Sequence, residues 1–92
     1  MWFVYIVRCA DNTLYTGIAK DVARRVEEHN SSNLLGASYT RGRRPVALVY
    51  AEVVQTRSAA AKREYEIKQM NRQAKDGLLR TRTTGMPGLR EV

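Results

Sequence analysis

The stretch Trp2-Phe3-Val4-Tyr5-Ile6-Val7-Arg8-Cys9 constrains everything after it. It is dense in aromatic and β-branched side chains, which suit a pleated, half-buried surface, so it reads as a strand. Ala10-Asp11-Asn12 has turn chemistry, and Thr13-Leu14-Tyr15-Thr16-Gly17-Ile18 resumes the pattern, so the chain opens on a hairpin. The length of the connection then decides which side chains share a face. A three-residue loop pairs Cys9 with Thr13, Val7 with Tyr15 and Tyr5 with Gly17; both Tyr hydroxyls then lie on one face, with open space at Gly17. A two-residue loop puts the tyrosines on opposite faces.

Asp21 stands as an N-cap before a helix over 22–29 that ends near Asn30-Ser31. Residues 31–44 form a long connection with Ser, Asn and two Gly, closing on Arg41-Gly42-Arg43-Arg44. Pro45 suits the opening of an edge strand, supplied by 46–54. Thr56 or Ser58 caps a second helix over 59–70, and 72–79 makes a shorter third one. The expected fold class is α/β in the α+β sense. A three-stranded sheet, antiparallel or mixed, in the order β-β-α-β-α(-α), carries helices packed on it, with the third strand running in either sense. Ninety-two residues suffice for one domain, expected over 1–82, with 83–92 as a flexible tail. The single Cys9 can form no internal disulfide, and reads as a small buried hydrophobe or a reactive thiol.

Charge narrows the partners. The chain carries a formal +7, distributed unevenly: residues 1–40 hold four basic and four acidic side chains, whereas 41–82 hold eleven basic against four acidic. A one-sided excess fits a polyanion, most often nucleic acid, and points to Arg41, Arg43 and Arg44 as phosphate contacts. The alternative is a merely soluble basic protein. The opening apolar run is interrupted by Arg8, lacks a basic stretch before it and is too short to span a bilayer, so no membrane partner is expected and the cytoplasm is the expected location.

Three groups of residues have the chemistry of a site. Tyr5 and Tyr15 stand ten apart on the two hairpin strands, as packing residues or as a reactive pair. Arg25 and His29, at i and i+4, share a helix face, either as a solvated pair or as groups suited to a phosphate: one fixed positive fork, and one group able to move a proton near neutral pH. On the second helix, 100° steps place Glu64 between Ala60 and Ile67 on the inward stripe and Glu66 on the solvated face. An inward carboxylate requires compensation, either from Lys68 one turn on or from a divalent cation.

Together, Val4-Tyr5-Ile6, Tyr15-Thr16-Gly17, Arg25, His29 and Glu64 within Arg63-Glu64-Tyr65 resemble the GIY-YIG nuclease domain, and most of all its short stand-alone bacterial members. The resemblance covers about residues 1–80. Val4 replaces the first Gly of the family's name and Thr16 the middle residue of its second triplet, but both tyrosines and Gly17 are retained. The family often has a late polar residue such as Asn; Asn71 is not assigned to it. The resemblance implies endonucleolytic hydrolysis of DNA phosphodiesters with one Mg²⁺ or Mn²⁺ held mainly by Glu64. It also implies Tyr5 and Tyr15 touching the site, Gly17 setting the backbone spacing, Arg25 stabilising charge on phosphoryl oxygen and His29 offering a proton path. Either tyrosine could serve as base. The rival readings are a binding module of the same fold that does not cut, and a subunit whose basic face meets an acidic protein. No obligate protein partner is expected.

Overall fold

The computed structural model describes residues 1–32 and 35–81. The proposed tail, 83–92, lies outside them. Three strands, β1 (Trp2–Arg8), β2 (Leu14–Ala19) and β3 (Ala47–Val54), form one antiparallel sheet in the order β2-β1-β3. Four helices accompany it: α1 (Val22–Ser31), α2 (Ser38–Arg41), α3 (Arg57–Lys68) and α4 (Arg72–Leu79). The third strand runs antiparallel to β1, which settles the open sense of that strand.

The hairpin takes the three-residue loop. Cys9 N–H donates to Thr13 O at 2.8 Å, and Asn12 adopts the left-handed conformation at φ 69°. Asn tolerates that region better than most residues, and Asp11 closes the turn by accepting from both the backbone N–H and the hydroxyl of Thr13. Those two bonds hold the Asp11 carboxyl below the ordinary carboxylate range. The register is therefore Tyr5 with Gly17 and Val7 with Tyr15. On its other side β1 meets β3 with a register shift between Ile6 and Val7, Ile6 pairing with Tyr50 and Val7 with Leu48, so Val49 is the extra residue of a bulge.

Helix starts follow their capping residues. The side chains of Asp21, Thr56 and Asn71 each accept the backbone N–H three residues on, opening α1, α3 and α4. Asn71 is thus a helix cap. The short helix α2 falls inside the connection 31–44 that the sequence presents as irregular: its four residues carry no side-chain cap and too few turns for a periodic signal.

Strand parity divides the core into two halves. Tyr5 and Val7 point to one side, where α1 contributes Val22 and His29; Val4 and Ile6 point to the other with Tyr50, all of them essentially inaccessible. Arg63 of α3 reaches Glu52 of β3 at 3.0 Å, while Tyr50 donates to the same carboxylate at 2.5 Å. This Tyr50–Glu52–Arg63 tie fixes the rotation of α3, on which Ala60 and Ile67 are fully buried. Cys9 is 3 % exposed, as a small core residue. No helix among the described residues is long and apolar enough to cross a membrane.

Arg44 has a structural task. Its Nε donates to the carbonyl of His29 at 2.6 Å and its Nη2 to that of Ser32 at 2.7 Å, so a cation closes the C-terminal turn of α1. Arg44→Ala is expected to lower unfolding free energy by about 1.5–3 kcal/mol, as charge-assisted bonds to carbonyls are lost. Urea denaturation of the variant beside Arg41→Ala, whose side chain reaches only Ser38 at the surface, measures the difference.

Candidate active site

Four sequence positions are drawn together by the hairpin register and the first helix. Tyr5 and Tyr15 lie on the same face because Tyr15 pairs with Val7, two residues from Tyr5. His29 enters that face from α1 and is fully buried, deeper than the boundary position its helical phase suggests. Its Nε2 lies 2.8 Å from the Tyr5 hydroxyl, and its ring stands edge-on to Tyr15 with centroids 5.5 Å apart.

The space at Gly17 is filled. A methyl group there would sit 2.6 Å from the Tyr5 hydroxyl oxygen and 2.7 Å from its ring carbon, so the Tyr5 ring crosses the β2 backbone where a side chain is missing. Any larger residue would displace the phenol. Gly17 therefore sets where the hydroxyl emerges, and its part is steric.

The hydrogen-bond pattern assigns the His29 tautomer. Ala37 N–H donates to Nδ1 at 3.2 Å, so Nδ1 is an acceptor. The Thr40 hydroxyl lies 3.1 Å from the same nitrogen and donates to Ala37 O at 2.9 Å. Nε2 therefore carries the ring hydrogen and donates it to Tyr5, leaving the phenol proton pointing elsewhere. Burial, reinforced by the positive charges of Arg25 and Arg44, pushes the His29 pKa down to about 4. The ring is neutral at pH 7 and does not titrate there, unlike the ready proton carrier that residue type alone suggests.

Tyr5 is pushed the other way. Burial raises its pKa to about 12, the neighbouring Tyr15 and Glu64 add to the rise, and the adjacent Arg25 guanidinium opposes it. Arg25 also holds Glu28 at 3.0 Å and donates to the carbonyl of Leu35. Glu64 is the fifth member. Its side chain is 24 % exposed against 49 % for Glu66, which matches the inward and outward phases. Lys68 pairs with it at 3.4 Å and lies 5.8 Å from the centre of the Tyr15 ring. Glu66 is instead held by Arg63.

Sequence reasoning passed over α2 and its flanks. Ala37 and Thr40 orient His29, and Tyr39 stacks on Tyr15 with centroids 5.6 Å apart and planes 25° from parallel. Gly36 lets this segment lie against α1, since a Cβ there would stand 2.8 Å from Ser32 O and 2.9 Å from Glu28 O. The available signal was Tyr39, the one aromatic residue in the connection 31–44. The three arginines proposed as phosphate contacts have different settings. Arg43 pairs with Asp11 at 3.1 Å and covers the Tyr39 ring at 4.0 Å, Arg41 is exposed, and Arg44 caps α1. Among the described residues, no three His, Cys, Asp or Glu side chains cluster as a ready-made metal centre.

The chain belongs to the GIY-YIG family, whose catalytic-domain model matches residues 1–76, the span that holds the three-stranded antiparallel sheet and the tyrosine face. Its relatives are short bacterial proteins. It is 56 % identical over 88 residues to a UPF0213 protein of Desulfotalea psychrophila, covering 96 % of this chain and 79 % of that one. It is 59 % identical over 80 residues to a UPF0213 protein of Staphylococcus aureus, covering 87 % and 95 % of the two chains. Among solved structures, the solution NMR structure of a UPF0213 protein from Bacillus halodurans matches with a TM-score of 0.58 at 37 % identity, over 92 % of this chain and 89 % of the other.

The buried neutral imidazole makes stability pH-dependent. The unfolded chain binds a proton on His29 near its ordinary 6.5 and the folded chain only near 4, so the contribution is complete above about pH 6.5 and is lost as pH falls towards 4. Between pH 7 and pH 5 the loss should be about 2 kcal/mol. His29 is the only histidine, so His29→Gln, which keeps an amide donor for Tyr5, should show a flatter dependence in urea titrations at the two pH values.

Proposed function

We propose that this protein is a metal-dependent endonuclease that hydrolyses DNA phosphodiester bonds, selecting nucleic-acid structure rather than sequence. One observation carries the reading: Tyr15 from β2, Arg25 and His29 from α1 and Glu64 from α3 gather around the Tyr5 hydroxyl of β1. A binding module of this fold would need its basic residues and the structural Tyr5–His29 bond, but not a half-buried carboxylate set beside the phenols.

The donor set at Glu64 fits Mg²⁺ or Mn²⁺. Mg²⁺ commonly uses one or two carboxylates and completes its shell with water and substrate phosphate, so a single half-buried glutamate suffices. A bound divalent cation would supply Lewis-acid stabilisation of the scissile phosphate and its leaving oxygen. Lys68 holds the Glu64 carboxylate meanwhile and would be displaced from it.

The chain's own residues divide the remaining work. The Tyr5 oxygen already accepts the His29 Nε2–H and has Arg25 beside it, an arrangement suited to carrying negative charge when a proton leaves. At a pKa near 12 only about one phenol in 100,000 is ionised at pH 7, so Tyr5 rests neutral. To act as base it must first release its own proton to solvent, which additional positive charge nearby would favour, and only the phenolate could then take a proton from water. Neutralising Glu64, which raises the Tyr5 pKa, is one source of that change. Tyr15, less buried and braced by Tyr39 and Lys68, is placed to meet the phosphate or the attacking water. Arg25 would stabilise negative charge developing on phosphoryl oxygen. Arg43 and Arg41 supply backbone attraction at the rim of the site.

Glu64→Gln keeps the shape and removes the charge that would hold the metal. Mg²⁺-dependent nicking of plasmid DNA should fall by at least about a hundredfold, whereas DNA binding should persist because the basic contacts remain. Glu66→Gln, already outward and paired with Arg63, should retain both activities. Full nicking by Glu64→Gln would exclude the metal role.

A further inference from the structure

A groove of about 890 Å³ lies away from the tyrosine site, between α4 and the hairpin end of the sheet. Leu48, Val49 and Leu79 form its apolar lining, and Arg8, Arg72 and Arg80 stand around them. The β3 bulge contributes both Leu48 and Val49 to this wall. Arg72 is committed at the rim, pairing with Asp76 at 2.9 Å and donating to the carbonyl of Asn12 at 2.7 Å. Arg8 and Arg80 are exposed, and neither forms an ion pair among the described residues. Two uncompensated guanidinium groups over an apolar floor suit a ligand with an anionic backbone and flat apolar faces. Nucleic-acid strands with unpaired bases have that chemistry.

The position of the groove favours one kind of strand. Arg8 follows Tyr5 by three residues on β1, about 10 Å along the strand, and parity points it to the opposite face of the sheet, whereas Leu48 pairs with Val7 and lines the groove from the tyrosine side. The groove therefore wraps the hairpin end of the sheet, and a strand reaching from Tyr5 to Arg8 must turn around the hairpin loop. That loop is flanked by arginines on both sides: Arg43 on Asp11 towards Tyr39, and Arg72 on Asn12 towards the groove. The domain measures 29 × 28 × 27 Å, far too small for a duplex with a persistence length near 150 base pairs to bend around. An unpaired strand bends freely.

We infer that the Arg8–Arg72–Arg80 groove binds a single-stranded DNA flank of the substrate, so that the protein acts where duplex gives way to an unpaired strand. The inference deepens the nuclease reading and rests on it for the substrate, but it is tested by binding alone. The duplex end is held at the tyrosine face by Arg41 and Arg43, the unpaired flank passes the hairpin loop, and its phosphates meet Arg8 and Arg80 while a base covers Leu48 and Leu79.

The test is a fluorescence-anisotropy titration, with chelator present, of a short blunt duplex and of the same duplex bearing a ten-nucleotide unpaired flank. Wild-type protein should bind the flanked form about tenfold more tightly. The Arg8→Ala/Arg80→Ala double variant should bind both forms alike, at the wild-type affinity for the blunt duplex. A flank that adds less than twofold in wild type, or a double variant weakened equally on both forms, overturns the inference. Absence of Mg²⁺-dependent nicking by the wild-type protein would instead strike the nuclease reading, while the binding comparison still decides the role of the groove.

Discussion

The structure turns on a buried hydrogen bond between Tyr5 and His29, 24 residues apart in sequence. Both partners are essentially inaccessible to water, so each polar atom must be satisfied inside the protein or cost stability. His29 meets this demand through Tyr5 on one nitrogen and the Ala37 N–H, with Thr40, on the other. The single ring therefore joins the central strand, the first helix and the connection that follows it. No buried side-chain polar atom among the described residues is left without a partner. The same bond sets the electrostatics of the candidate site: a neutral imidazole donates to a neutral phenol, and charge lies on the groups around them, Arg25, Glu28, Arg44, Glu64 and Lys68.

Much of this was legible in the sequence because it depends on short-range rules. The ten-residue spacing of the tyrosines narrowed the register to two choices set by loop length, and the three-residue loop through Ala10-Asp11-Asn12 puts both tyrosines on one face by strand parity alone. Helical phase separated Glu64 from Glu66 because Ala60 and Ile67 mark the inward stripe. Capping residues placed the helix starts within two residues.

What escaped depends on contacts between distant segments. A helix of four residues has no period to detect, so the Tyr39 stack and the Thr40 support appear only when the loop is folded against α1. The depth of His29 was hidden because phase locates a residue around a helix axis, while the amount of protein lying over it comes from elsewhere in the chain. Counting charges identified a basic half but could not distinguish Arg44, spent on helix carbonyls, from Arg41 at the surface. Charge counting is blind to geometry. Nor could the space implied by Gly17 be recognised as a channel for the Tyr5 ring before the rotamer was seen.

The brevity of α2 has a consequence for how the site comes into being. An isolated four-residue helix is unstable in water, so α2 owes its order to what it touches: the imidazole through Ala37 and Thr40, and Tyr15 through Tyr39. Those partners in turn owe their placement to α2. Segment and site are therefore two readings of one local equilibrium, opening and closing together. Amide protection between residues 35 and 44 would act as a gauge of site integrity even with no substrate in hand, reporting the fraction of molecules in which imidazole and phenols stand assembled.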